Sequence, residues 1–316
     1  MGTDLRRGTA AAMFLVVAVA WGFNYPFVRV GIGLAAPLWL AFLRAAVGAA
    51  GVSWMLASVR GGPPLGRTDR WLALGLGIPN TSVFFGLWFL ASASVPPGEA
   101  AVFVYTYPLW VSLLSVPLLR HRPGPAELGA VLMGFAGVAL MSEPWVSSAS
   151  ALPPTAIVEL LVGAIAWALG TVLTQRFFAA PQMQRANAYQ LIGGSIGLLG
   201  LAVVIEPAQL PAFSPTLLIV VLWIGLVGTA LGYGLWYALL GRIPAATLSA
   251  FAFLVPVVAL GASVAFLGET LDAVQVAGVA LVAAAIFLVG RARRRSPRPS
   301  SIDAEREAGP SRDAKR

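Results

Sequence analysis

Apolar runs long enough to cross a membrane follow one another along this sequence from residue 10 to residue 290. A helix needs about 20 mainly apolar residues to span the hydrocarbon core of a bilayer. Ten such runs, bounded by charge, proline or glycine, are predicted as spans 1 to 10 at 10–32, 37–59, 71–91, 99–119, 126–142, 155–175, 186–205, 216–238, 245–267 and 272–290. The first is interpreted as a retained span, because no convincing signal-peptide cleavage site follows it. The sequence therefore predicts an all-α integral membrane protein with ten transmembrane helices.

Composition narrows the chemistry that such a chain can perform. Only 11% of its residues are charged and 58% are hydrophobic, whereas a soluble domain carries roughly 25% charged residues. The absence of cysteine excludes disulfides, thiolate metal sites and iron–sulfur clusters, and a single histidine, His121, leaves little for zinc or triad chemistry. We expect no catalytic residues, no metal site and no cofactor.

The basic residues are distributed unevenly between the two sides of the predicted spans. Outside the spans they precede span 1, follow span 10 or lie in loops on the same side, and only Arg29 and Arg44 lie within spans. The positive-inside rule then predicts that both termini are cytoplasmic, which an even number of spans allows. The net charge of +8 is thereby explained by the orientation of the protein in the membrane. No nucleic-acid partner is expected.

The two halves of the chain repeat each other. Gly86-Leu87-Trp88-Phe89 recurs 148 residues later as Gly234-Leu235-Trp236-Tyr237, and the same offset carries Thr81 onto Thr229 and Pro108 onto Pro256. Ala20-Trp21 recurs as Ala166-Trp167, 146 residues later. Because each half has five spans, the second copy enters the membrane from the other side, an arrangement found in many transporters. We predict a cytoplasmic N-terminus at 1–9, a first five-helix repeat at 10–142, a periplasmic connection at 143–154, a second repeat at 155–290 and a disordered basic cytoplasmic tail at 291–316.

Several motifs in the spans can be compared with known families. They are Trp21-Gly22-Phe23-Asn24, Pro37 with Phe42-Leu43-Arg44, Glu99-Ala100-Ala101, Tyr107-Pro108, Gly163-Ala164 with Trp167-Ala168, Ala245 to Pro256, and Gly268-Glu269-Thr270. In these motifs the chain, over about residues 10–290, resembles the EamA-type members of the drug/metabolite transporter superfamily. The resemblance implies a ten-helix carrier that moves small metabolites, commonly outward, with amino acids or their analogues as the leading substrate class. The sequence departs from the pattern of this family at two points. The acid expected after span 4 is displaced to Glu127, and Trp167-Ala168 replaces the second Trp-Gly.

Two kinds of residue within the spans are costly in a membrane. Pro108 and Pro256 lie near the middle of spans 4 and 9, where a missing N–H and a steric clash break the helix. They are interpreted either as paired hinges lining a substrate path or as static kinks. Arg44 lies seven residues into span 2. It is interpreted either as binding a carboxylate or phosphate of a substrate, or as pairing with backbone carbonyls or an acid near the outer face. Arg29, close to the end of span 1, is interpreted as a snorkelling anchor.

A substrate site needs an apolar wall with a few placed polar groups. We predict that the cavity is lined by Trp21, Asn24, Tyr25, Arg44, Asn80, Tyr105, Pro108, Trp167, Thr171, Tyr189, Tyr233, Trp236 and Pro256. The resulting hypothesis is a secondary transporter in the cytoplasmic membrane that exports a small organic metabolite by alternating access of two inverted repeats. The alternatives are a membrane-embedded enzyme and a receptor or scaffold. The expected partners are a small-molecule substrate and the lipid bilayer. Protons are one candidate for the coupling ion, and the oligomeric state is left open.

Overall fold

The computed structural model describes residues 7–58, 62–95, 97–142, 152–212, 214–267 and 271–295. Most of the predicted connection between the repeats, the motif at 268–270 and the tail beyond residue 295 lie outside these residues. Within them, all regular secondary structure is helical.

Each of the ten predicted apolar runs is helical. The first repeat contains Arg7–Gly22 and Asn24–Ile32 in span 1, Pro37–Ser58 in span 2, Arg67–Gly77 and Phe84–Ser92 in span 3, Pro97–Val104 and Tyr107–Leu119 in span 4, and Pro125–Ser142 in span 5. The second contains Pro154–Phe177 in span 6, Met183–Ile205 in span 7, Pro215–Leu222 and Gly232–Leu240 in span 8, Ala245–Phe251 and Leu254–Leu267 in span 9, and Ala273–Arg295 in span 10. In the described parts of the chain, nine of the runs are long and apolar enough to cross a membrane, and span 9 contributes the shorter apolar stretch Ala245–Gly261. The protein is an all-α membrane protein built from two repeats.

Two segments of π-helix join the halves of spans 3 and 8. They are Ile78–Val83 and Trp223–Leu231, and an offset of 148 superimposes the first on the end of the second. π-Helical turns are rare, and they frequently occur at functional sites. In span 8 the carbonyl of Gly228 accepts a hydrogen bond from the indole nitrogen of Trp21 over 3.0 Å. Neither segment was among the features predicted from the sequence.

Spans 4 and 9 are interrupted next to their prolines, as predicted. The helices of span 4 are separated by residues 105–106 and those of span 9 by residues 252–253. Since Pro256 has no N–H to donate, the carbonyl of Ala252 instead accepts from the amide of Val255 over 3.0 Å. A tighter turn thus satisfies part of the backbone that the proline leaves unpaired.

The two repeats interlock. Span 1 packs on spans 8 and 9, and span 6 packs in the same way on spans 3 and 4. Span 2 packs on spans 7 and 8, span 7 packs on spans 2 and 3, and span 5 packs on span 10. The repeats are therefore continuous in sequence but do not form two separate bundles in space.

One end of the bundle collects the basic side chains. The turns and helix ends there carry Arg67, Arg70, Arg120, Arg122, Arg176, Arg185 and Arg242, and we name this end the basic face. Two of its arginines tie neighbouring segments together: Arg176 Nη1 donates to the Leu118 carbonyl over 2.6 Å and Arg185 Nε donates to the Gly62 carbonyl over 3.1 Å. The other end, which includes turns 33–36 and 93–95, is named the opposite face.

At the opposite face a buried carboxylate caps span 2. Glu206 Oε2 accepts hydrogen bonds from the backbone amides of Leu38 and Trp39 over 3.0 and 3.2 Å. The first amides of a helix have no partner within the helix and carry partial positive charge, so a carboxylate stabilises them. This contact fastens the start of span 2 in the first repeat to the end of span 7 in the second.

Candidate functional site

A small cavity lies between the repeats, inside the interlocked spans. Its lining residues come from spans 1, 2, 3, 4, 6 and 8, and they are Trp21, Asn24, Tyr25, Arg44, Phe84, Trp88, Val104, Tyr105, Trp167 and Tyr233. Arg44 follows Pro37 by seven residues in a helix, which places it about 10 Å from the opposite face. We name this space the Arg44 cavity.

The Arg44 cavity is too small for a metabolite in the described conformation. Its volume is ≈ 40 Å³, and because one buried water needs roughly 10–15 Å³ it holds on the order of three waters. Ligand pockets usually measure about 300–1,000 Å³. A metabolite therefore enters only when the surrounding helices move apart.

Arg44 is a buried cation that no described acid neutralises. Its side chain is 2% exposed, and its guanidinium carbon lies 4.2, 5.2 and 5.8 Å from the ring centres of Phe85, Trp88 and Phe89. Its Nε donates to Oγ1 of Thr229 over 3.0 Å. Among the described residues the only salt bridge joins His121 to Glu127. Ring faces and one hydroxyl thus hold the charge in place.

Three polar atoms of the cavity lining are buried without a hydrogen-bond partner in the described part of the chain. They are Nη1 of Arg44, Nε1 of Trp88 and Oδ1 of Asn24. Buried polar groups are nearly always paired, and leaving one unpaired costs about 1–3 kcal/mol. The residues that line this one cavity thus carry two unpartnered donors, one of them charged, and one unpartnered acceptor, as expected of a site that binds a polar ligand.

An aromatic cluster lies between the cavity and the basic face. The ring of Trp167 stacks on Tyr107 with centres 3.7 Å apart and on Phe84 with centres 4.7 Å apart. The ring of Trp21 lies 5.6 Å from Trp167 and 5.2 Å from Trp236. These rings come from both repeats. Those of Trp21, Phe84 and Trp167 also form an apolar part of the cavity wall.

Seven of the thirteen predicted site residues line the cavity: Trp21, Asn24, Tyr25, Arg44, Tyr105, Trp167 and Tyr233. The other six lie elsewhere. Asn80 and Thr171 belong to buried hydrogen bonds nearer the basic face, Trp236 belongs to the aromatic cluster, and Tyr189 is half-buried on span 7. Pro108 and Pro256 are buried beside the helix breaks.

The lining residues that the sequence analysis missed are Phe84, Trp88 and Val104. For Trp88 a signal was present, since it lies in the repeated Gly86–Phe89 motif. Phe84 and Val104 are apolar residues in apolar spans, so their sequence context does not distinguish them from residues that face lipid.

A larger space opens at the basic face, but its chemistry differs. Its volume is ≈ 350 Å³ and it is lined by Ser115, Leu119, His121, Gln175, Leu240, Gly241, Arg242, Ile243, Pro244, Ala245 and Ala246. None of the unpartnered buried side-chain atoms of the described residues belongs to this lining. Its amide side chain is already bonded, because Gln175 Nε2 donates to the carbonyls of Leu240 and Ile243 over 2.8 Å each. The Arg44 cavity is the stronger candidate site.

Comparison with known families fits this architecture. The model of the EamA-like transporter family matches the chain twice, over residues 8–143 and 154–291. The chain belongs to the EamA-like transporter family. The resemblance that the sequence motifs indicated is thereby confirmed, and this EamA-like protein is a multi-pass membrane transporter and not an enzyme.

Curated relatives of this EamA-like transporter align over most of their length. It is 27% identical over 283 residues to a "Probable amino-acid metabolite efflux pump" of Salmonella typhimurium, covering 87% of this chain and 92% of that protein. It is 25% identical over 287 residues to the "Uncharacterized transporter YvbV" of Bacillus subtilis, covering 90% and 93%. A crystal structure with 19% sequence identity superimposes with a TM-score of 0.75 over 92% of this chain and 99% of that chain, and so has the same fold.

Proposed function

We propose that this transporter exports an amino acid or an amino-acid analogue across the cytoplasmic membrane by alternating access of its two inverted repeats. The observation that carries the proposal is that Arg44, with its unpartnered Nη1, and Asn24, with its unpartnered Oδ1, line one cavity. Further support comes from relatives in Salmonella typhimurium and Escherichia coli, both named as probable amino-acid metabolite efflux pumps and 27% and 24% identical to this chain.

The free groups of the cavity match the two charges of an α-amino acid. The carboxylate accepts hydrogen bonds from Arg44 Nη1 and Trp88 Nε1, and a hydrogen bond to a charged donor is about twice as strong as a neutral one. The ammonium group donates to Asn24 Oδ1 and lies among aromatic rings, which attract cations. The lining contains no acid, so a side chain with a second positive charge has no counter-charge there. We therefore infer a zwitterionic substrate with an uncharged side chain.

The proposed orientation of the protein in the membrane rests on the distribution of its basic residues. With both termini cytoplasmic, the basic face is the cytoplasmic side. The connection at 143–154 is then periplasmic, and the segments at 1–9 and 291–316 are cytoplasmic. The Arg44 cavity consequently lies nearer the outside, where an exporter releases its substrate. Protons are the proposed coupling ion.

The decisive experiment is uptake and efflux by purified protein in proteoliposomes, with a panel of labelled amino acids and with the corresponding amines that lack a carboxylate. Arg44→Gln removes the charge and its free N–H. We expect the half-saturation concentration to rise roughly 30-fold, since a hydrogen bond to a charged group contributes about 2 kcal/mol. Arg29→Gln is the matched control, because Arg29 is an exposed arginine of span 1 and its loss leaves the cavity unchanged.

Three results would overturn parts of this proposal. Transport of the amines as fast as the amino acids would show that no carboxylate is recognised. Unchanged transport by Arg44→Gln would remove Arg44 from the site. A flux that does not respond to a pH gradient would exclude protons as the coupling ion.

A further inference from the structure

The repeat places a second polar residue in the register of Arg44. The offset of 146 that carries Trp21 onto Trp167 also carries Arg44 onto Gln190 of span 7. Four residues later in each helix is a glycine, and Gly48 lies against Thr229 while Gly194 lies against Thr81, with no room for a β-carbon. Because both glycines meet equivalent threonines of the other repeat, the equivalence of Arg44 and Gln190 holds in three dimensions.

The surroundings of the two residues differ in chemistry. The rings beside Arg44 belong to Phe85, Trp88 and Phe89, and the repeat replaces them by Tyr233, Trp236 and Tyr237. The tyrosines add hydroxyl groups where the first repeat has none. The equivalent positions thus carry a cation against the rings of Phe85, Trp88 and Phe89 in one repeat and a neutral amide bonded to the Tyr237 hydroxyl in the other.

Gln190 is the centre of a buried hydrogen-bond cluster. Its Oε1 accepts from the Tyr237 hydroxyl over 2.6 Å and from Asn80 Nδ2 over 2.9 Å. Its Nε2 donates to Oγ1 of Thr174 over 2.9 Å. These four side chains come from spans 3, 6, 7 and 8 of both repeats, and each is at most 2% exposed. We name this group the Gln190 cluster.

The Gln190 cluster lies as close to the basic face as Arg44 lies to the opposite face. Gln190 follows the first residue of its helix, Met183, by seven positions, which corresponds to about 10 Å. Tyr237 and Thr174 are three residues from the ends of their helices at the same face. At one level, then, side chains of four helices from the two repeats are joined by hydrogen bonds, and only Asn80 Oδ1 among their described amide and hydroxyl atoms lacks a partner. At the equivalent level on the other side, Arg44 Nη1, Trp88 Nε1 and Asn24 Oδ1 have no partner among the described residues.

We propose that the Gln190 cluster closes the path toward the basic face, and that on opening Gln190 and Tyr237 form a second, neutral subsite for the carboxylate that Arg44 binds on the other side. The subsite role rests on the proposed function above, but the closing role does not. Because neutral donors hold a carboxylate less strongly than a guanidinium does, the half-saturation concentration is higher for substrate arriving at the basic face than for substrate arriving at the opposite face.

The chain contains no cysteine, so single cysteines report access without a background. Val104→Cys reports access to the Arg44 cavity. Thr171→Cys, at a buried position three residues before Thr174 of the Gln190 cluster, reports access from the basic face. Each is labelled with a membrane-impermeant maleimide, from the opposite face and the basic face respectively, in vesicles of both orientations and without substrate. Gln190→Leu removes every hydrogen bond of the amide, and we expect labelling of Thr171→Cys to rise and that of Val104→Cys to fall by about fivefold or more.

Asn187→Leu is the matched control. Asn187 is a buried amide on the same helix, and neither of its amide atoms has a partner in the described part of the chain. Its replacement should leave both labelling rates unchanged. Tyr237→Phe is the second test variant, since it removes one hydroxyl and restores the residue type of Phe89 in the first repeat, and it should shift both rates in the same direction as Gln190→Leu by a smaller factor.

The outcomes separate the two proposals. If both Gln190→Leu and Tyr237→Phe label like the parent protein, the cluster does not close the path, whatever the substrate is. If Gln190→Leu does not fold, Tyr237→Phe alone decides. If labelling shifts as expected but no amino acid is transported, the closure stands and the proposed function fails. If amino acids are transported with equal half-saturation concentrations at both faces, the second subsite is refuted.

Discussion

Arg44 Nε donates a 3.0 Å hydrogen bond to Oγ1 of Thr229, which joins span 2 of the first repeat to span 8 of the second. The hydroxyl of Thr229 donates its own proton to the Ile224 carbonyl over 2.8 Å, five residues back in the π-helical segment. Because the Thr229 hydroxyl donates its proton to the Ile224 carbonyl, the lone pairs of its oxygen accept the hydrogen bond from Arg44. The π-helix thereby orients the cation of the Arg44 cavity.

Thr229→Val should therefore weaken substrate binding without removing the charge. Valine keeps the shape of threonine but cannot accept from Arg44, and we expect the half-saturation concentration to rise about fivefold, as for one net hydrogen bond. Thr81→Val is the matched control, because Thr81 is the repeat-equivalent residue and its buried hydroxyl has no partner within the described residues. Equal effects of the two substitutions would show that Thr229 does not position Arg44.

The carboxylate of Glu206 should stabilise the fold at the opposite face. Glu206→Ala leaves the amides of Leu38 and Trp39 unpaired where the helix carries partial positive charge, at a cost of about 1–3 kcal/mol. We expect a lower Tm in detergent, measured by intrinsic fluorescence. Glu206→Gln keeps one acceptor oxygen and should lower the Tm less, and the reverse order would contradict the capping role.

The contact between spans 5 and 10 should depend on glycine. A β-carbon on Gly137 would lie 2.8 Å from the Gly278 carbonyl oxygen and 3.0 Å from the Val282 amide nitrogen, and backbone atoms give way only if the helices separate. Gly137→Ala should destabilise the protein by about 1–3 kcal/mol. Gly129→Ala on the same helix meets no atom within 4 Å and should leave the Tm unchanged or raise it. Size-exclusion chromatography after heating measures the difference, and equal melting would argue against close packing at Gly137.

The length of the apolar runs and the local chemistry of single residues gave much of the prediction. Length and apolarity located all ten helical runs, because a segment in hydrocarbon must satisfy its own backbone and so becomes a helix. The prolines of spans 4 and 9 predicted the breaks, because proline cannot donate to the helix. Arg44 was recognised as exceptional because a charge within a span is costly wherever it faces.

Residue type alone did not predict the partners of these groups. The rings that hold Arg44 come from span 3 and its hydroxyl comes from span 8, and Gln190 was not among the predicted site residues at all. An amide or a phenol in an apolar helix has the same local sequence whether it faces a cavity, a neighbouring helix or lipid.

The sequence by itself determined the number of spans, the inverted repeat and the family, since these depend on apolar length, internal similarity and short motifs. Only the tertiary structure decided that the repeats interlock and that a buried arginine and an asparagine, each with an unpartnered polar atom, line one cavity. It also showed that Gln190, at the equivalent position of the other repeat, is hydrogen-bonded to the side chains of Asn80, Thr174 and Tyr237. The reason is physical: contacts between the repeats such as those of Arg44 with Thr229 and of Asn80 with Gln190 join residues more than 100 positions apart. Their geometry depends on π-helical turns and glycine contacts that exist only once the helices are packed.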